Sequence, residues 1–139
     1  MKPFFKLFIS LSLLFSAASA IEFKDMYKVS LKKDEQTEIF VKYAAYKRVF
    51  KFRWTLYTNE GLIVFHSYDK RVKQNILYLN TKNQTFKVLL KSKGADFYEV
   101  PYLLVKFEEF DFEKHEAKFK IFLSDKKSQI KIKYPKEEE

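Results

Sequence analysis

From about residue 26 onward, apolar and polar positions alternate with period two, and no stretch carries the three-to-four spacing of a helical stripe. Phe50, Phe52, Trp54 and Leu56 share one phase, and Lys51, Arg53, Thr55 and Tyr57 share the other. Asn59-Glu60-Gly61 follows as a hairpin connection, with the glycine expected where φ must be positive. Leu62, Val64, His66 and Tyr68 then alternate with Ile63, Phe65 and Ser67. Further strands are expected at Tyr27–Lys32, Thr37–Tyr43, Val72–Leu79, Thr85–Lys91, Tyr102–Phe112, Ala117–Leu123 and Gln129–Tyr134. Most connectors are brief and turn-like, such as Lys33-Asp34-Glu35, Asp69-Lys70 and Glu113–Glu116, and only Ser92–Val100 is longer.

About nine short strands with brief turns predict one antiparallel all-β domain over residues 21–134. A β-sandwich, immunoglobulin-like in general architecture, is the favoured form, and a small up-and-down barrel is the alternative. Trp54 in mid-strand resembles the core tryptophan of immunoglobulin-like sandwiches, but the usual cysteine pair is absent and no family is assigned on one aromatic. Within Tyr102–Phe112, Val105 and Phe107 share a phase that Phe110 and Phe112 do not. A bulge at Glu108-Glu109 would restore a common inward face; the alternative is a strand that changes sheets or is buried on both sides.

Composition narrows the chemistry. The 139 residues include no cysteine, two histidines, two glycines and three prolines. Zero cysteines exclude a disulfide framework, a Cys-ligated zinc, a thiol nucleophile and a lipidated cysteine. Two histidines leave little for a His-based metal or acid–base centre. The 47% hydrophobic and 19% aromatic content can build a core by burial alone.

Residues 1–20 read as a cleaved secretory signal peptide: Lys2 and Lys6, an apolar run over residues 7–15, then Ala18-Ser19-Ala20. The apolar run is short for a membrane span, no second one follows, and a soluble product without a transmembrane anchor is expected. The address implied is a bacterial periplasm or the secreted space. Losing Lys2 and Lys6 leaves 25 basic residues against 18 acidic ones, a formal charge of +7. Lysine outnumbers arginine 24 to 3, and Phe, Tyr and Ile are frequent, which is what an AT-rich coding bias produces. With Arg48, Arg53 and Arg71 the only arginines, nucleic acid is set aside as a partner. The tail 135–139 is charged, free of apolar side chains and expected to be disordered.

Three constellations invite chemical readings. Glu108, Glu109, Asp111, Glu113, His115 and Glu116 form the densest ligand-like group, yet they lack the glycine and Asx offsets of a calcium loop, so a solvated strand face is favoured and no metal is assigned. Asp125, Ser128 and the histidines suggest a search for a hydrolase triad. His66 and Ser67 are adjacent on one strand and point to opposite faces, and no Gly-x-Ser-x-Gly turn exists. His66 is expected to pack among Leu62, Val64 and Tyr68 with one ring nitrogen satisfied. Asn83-Gln84-Thr85 fits a glycosylation acceptor, a triplet common by chance. No catalytic residue and no cofactor are assigned.

The third constellation is a C-terminal hairpin. Pairing Leu123 with Ile130, Ile121 with Ile132 and Phe119 with Tyr134 places Lys118, Lys120, Lys131 and Lys133 on one face, with Lys120 opposite Lys133. Like charges opposite each other destabilise a sheet, so an anionic neighbour is expected. The Glu108–Glu116 stretch is the internal candidate; an acidic partner protein, lipid headgroups or an envelope polymer are the external ones. Phe122 in the lysine row, and Tyr57 beside Arg53, are candidate interface anchors. The function expected is a non-enzymatic exported module of the bacterial envelope, docking through this face onto a partner protein, such as a subunit of a secretion system or flagellar motor. A barrel holding an apolar ligand and a proteinaceous inhibitor of an envelope-attacking enzyme are the alternatives.

Overall fold

The computed structural model describes residues 23–91 and 100–135, and the expected signal peptide and charged tail 136–139 lie outside that range. Nine strands form two antiparallel sheets packed face to face. The chain opens with β1 (Asp25–Lys32) and crosses to a meander of β2 (Thr37–Tyr43), β3 (Tyr46–Thr58), β4 (Gly61–Tyr68) and β5 (Arg71–Tyr78). It returns for a second meander of β6 (Thr85–Leu89), β7 (Tyr102–Asp111) and β8 (Glu116–Ser124), then crosses back to β9 (Lys131–Lys133). The sheet orders are β1-β8-β7-β6 and β5-β4-β3-β2-β9. This is a sandwich of two open sheets and not a closed barrel. Each sheet is a meander of consecutive strands extended at one edge by a strand distant in sequence, β1 beside β8 and β9 beside β2.

Alternation makes the core. Phe50 and Phe52 of β3, Leu62 and Val64 of β4, Val105 and Phe107 of β7, and Phe119 and Ile121 of β8 are all buried, and side chains fill the space between the sheets. Two side chains tie the layers together. Trp54 of β3 donates its indole N–H to the Leu31 carbonyl of β1 at 2.7 Å, and Tyr68 of β4 donates its hydroxyl to the Leu90 carbonyl after β6 at 2.7 Å. Burial pushes the Tyr68 hydroxyl up to about 12.

Two bulges decide which aromatics face inward. In β7 the pairing with β8 slips between Phe107 and Glu109, so Glu108 is the extra residue and Phe110 regains the inner face opposite Ala117. The bulge expected at Glu108-Glu109 is therefore present, although Phe112, past the end of β7, stays 68% exposed. In β3 the pairing with β4 slips between Trp54 and Leu56. That second bulge overturns the simple alternation: Leu56 turns outward and Tyr57 turns inward. Tyr57 stacks on Phe110 at 4.3 Å and meets Phe107 edge-on at 5.9 Å.

The turn before β4 also differs from expectation. Asn59 and Glu60 carry the positive φ values, 50° and 67°, as in a two-residue type I′ hairpin, and Gly61 is the first residue of β4. The glycine is needed for room: a Cβ there would lie 3.0 Å from both Ile76 Cγ2 and the Tyr78 ring.

Candidate functional site

The C-terminal hairpin does not form. β8 is hydrogen-bonded on one side to β1 and on the other to β7, which leaves it no edge to offer β9. Asp125 turns the chain away from that sheet. Its buried carboxylate accepts hydrogen bonds from the backbone N–H groups of Gln129 (3.1 Å) and Ile130 (2.8 Å), and Lys24 lies 3.6 Å from it. Ile130 is buried and β9 joins the other sheet beside β2, pairing Phe40 with Lys133, Val41 with Ile132 and Lys42 with Lys131. Asp125 and Ser128 thus belong to a structural loop.

The correction divides the expected interface. Lys118, Lys120 and Phe122 remain together on the outer face of the four-stranded sheet, and Lys131 and Lys133 move to the outer face of the five-stranded one. Tyr57 is half-buried, packed against the core beside Phe107 and Phe110, and is set apart from the lysines of either sheet face. Arg53 does face outward, where it pairs with Asp34 at 3.3 Å and lies over the Phe65 ring. Phe122 is half-buried under Phe23, ring centroids 4.9 Å apart.

Each sheet carries a cross-strand row of three lysines, and the two rows differ in one respect. On the four-stranded sheet, Lys120 lies opposite Lys28 on one side and Lys106 on the other, not opposite Lys133. The β7 bulge places Glu108 between them, its carboxylate 3.5 Å from Lys120 and 3.6 Å from Lys106. Glu109 pairs with Lys118 at 3.2 Å. Lys28, Lys118, Lys120, Glu108 and Glu109 line a groove of about 430 Å³ whose charges largely answer one another. Of the acidic stretch, Glu108 and Glu109 are engaged with this sheet's lysines. Asp111 is also committed, accepting hydrogen bonds from the N–H groups of Glu113 and Lys114 in its own turn. Among the described residues no three potential ligands converge.

On the five-stranded sheet, Lys42 of β2 lies opposite Lys131 of β9 and opposite Lys47 of β3. Partners directly opposite in an antiparallel pair share a face with their Cβ atoms about 5 Å apart. Val41 is buried, so Lys42, Lys131 and Lys47 stand on the outer face, with Lys133 and Phe40 in the next row. Among the described residues none of these four lysines makes an ion pair. Glu38, farther along β2, is paired with Lys51 at 3.8 Å. Phe40 is 47% exposed in the middle of the group, and Tyr46, in the turn beside Lys47, is 56% exposed. The corner sets a large exposed apolar side chain beside lysines that have no carboxylate partner among the described residues. Such a surface can steer and seat an acidic partner.

Phe40, Lys42 and Lys47 escape a sequence reading because their neighbour is β9, a strand that sequence order assigns to β8. The available signal is the pair Lys42 and Lys47 flanking the Tyr43–Tyr46 turn, which a two-residue hairpin loop there sets opposite each other.

His66 sits as expected in the core. It is buried, stacked on Phe86 at 4.2 Å, with Nε2 2.6 Å from the Asn75 side-chain oxygen. Burial holds its pKa below the ordinary 6.5, with Lys73 acting in the same direction and the Asn75 hydrogen bond opposing.

No protein-family model matches the chain, no curated protein matches it in sequence, and no solved structure matches it.

Proposed function

We propose that the chain is a non-catalytic interaction module of the bacterial envelope, which docks by the β9–β2–β3 corner onto an acidic surface of a partner protein. Phe40 is the anchor, and Lys42, Lys47, Lys131 and Lys133 supply attraction and orientation. The observation that carries this reading is the row Lys131–Lys42–Lys47, three like charges held opposite one another with no carboxylate among the described residues to offset them. The equivalent row on the other sheet has its carboxylate in Glu108. Coding bias accounts for many lysines but not for one row holding a carboxylate and the other holding none among the described residues. The envelope address follows from the features of residues 1–20.

Incorporating a photo-crosslinking phenylalanine analogue at position 40 in the producing cell tests the reading. One partner should be captured through a segment rich in Asp and Glu, and Lys42→Glu with Lys131→Glu should abolish that capture. Equal capture by the charge-reversed chain, or no captured protein, would overturn it.

A further inference from the structure

A second surface lies at the opposite end of the same sheet. β5 is its terminal strand, paired to β4 on one side only. The direction of its free backbone groups follows from one residue. Tyr78 N–H donates to the Asn83 carbonyl at 3.0 Å, and the Tyr78 carbonyl accepts from the Thr81 hydroxyl at 3.0 Å, so both point away from β4. In an antiparallel ladder each residue directs its N–H and C=O to the same side, and the side alternates along the strand. The β4–β5 register runs without a slip. Val72, Gln74 and Ile76 therefore point their backbone groups outward from the sheet edge, and no strand among the described residues pairs with them.

The side chains specify what could pair there. Leu56, Ile63 and Ile76 lie opposite one another across β3, β4 and β5, an aliphatic row on the outer face that runs to the free edge. Ile76 is 43% exposed and Val72 74%. On the alternate phase Arg71 and Lys73 are exposed and make no ion pair among the described residues. An inward-phase lysine on an edge strand guards against indiscriminate pairing. It refuses a second copy in particular, because Arg71–Tyr78 contains no Asp or Glu to set against it. The same charge favours a strand that brings a carboxylate.

We infer that the free edge of β5 receives an extended segment of a partner polypeptide that alternates aliphatic with acidic side chains. Its backbone completes the ladder with Val72, Gln74 and Ile76. Its aliphatic side chains extend the Leu56–Ile63–Ile76 row, and its carboxylates meet Lys73 and Arg71.

The probe is a fluorescent peptide of about eight residues alternating Glu with Ile or Thr, titrated against the full chain and followed by anisotropy. Saturable binding is expected. Gln74→Pro removes an N–H that faces outward, so the β4 ladder and the melting temperature should hold while binding weakens about tenfold or more. N-methylation of the peptide at alternate residues should abolish binding in one phase and spare it in the other. No saturable binding, or equal binding of both N-methylated phases, would overturn the inference. The N-methylated peptides decide the matter even if Gln74→Pro unfolds the domain, because purely electrostatic attachment to lysines is blind to them.

Discussion

His66 joins three strands of two sheets: it belongs to β4, bonds Asn75 of β5 and stacks on Phe86 of β6. Its pKa is held below the ordinary 6.5, chiefly by burial. The unfolded chain therefore binds a proton first as pH falls. The stability contributed by neutral His66 is complete above pH 6.5 and is lost as pH drops from there toward the folded value, with a slope of at most about 1.4 kcal/mol per pH unit. Urea unfolding at successive pH values below 6.5 should show that decline, and His66→Gln should remove most of it. A stability independent of pH over that interval would show that the ring is already solvated. One extra residue has comparable leverage. Thr55 displaces the phase of β3, and with it Tyr57 turns inward, half-buried, beside Phe110, which also meets Trp54 edge-on.

At the scale of elements, the lysine row Lys28–Lys120–Lys106 is offset by Glu108, whose carboxylate lies between two lysines of neighbouring strands. Glu108→Gln keeps the shape and removes the charge. It should lower stability by about 0.5–1 kcal/mol in thermal melts, the effect fading in high salt. A melt identical to that of the native chain would mean that the row tolerates its own repulsion. The strands themselves were legible as alternation, and so was the need for a bulge, since Phe107 and Phe110 could not otherwise share a face. The Thr55 bulge was hidden because Leu56 and Tyr57 are both apolar enough to occupy either face. The partner of β9 was hidden for a different reason. Sequence proximity favours a hairpin with β8, but pairing depends on which strand has a free edge, and β8 has none once β1 takes its place. The lysines Lys131 and Lys133 were thus found and set beside the wrong neighbours, while Phe40 and Lys42 went unnoticed.

At the scale of the whole molecule, two open sheets leave two outer faces and four sheet edges, and the charge on them is unevenly answered. The four-stranded face balances its own lysines. The five-stranded sheet leaves a basic corner around Phe40 at one end and a basic, aliphatic edge at β5 at the other. On the proposed reading both ends take acidic polypeptide, and five strands separate the two sites. The central claim is that the Lys131–Lys42–Lys47 row is repulsive as the protein stands, retained at a cost in stability for the sake of a partner. The melting temperature of Lys42→Glu measures this directly. Placing a carboxylate between Lys131 and Lys47 should stabilise the domain by about 0.2–1 kcal/mol, a rise of a few degrees that shrinks in high salt. A melting temperature unchanged or lowered would mean that the row already has its counter-charge, and the reason for proposing a docking site at that corner would be gone.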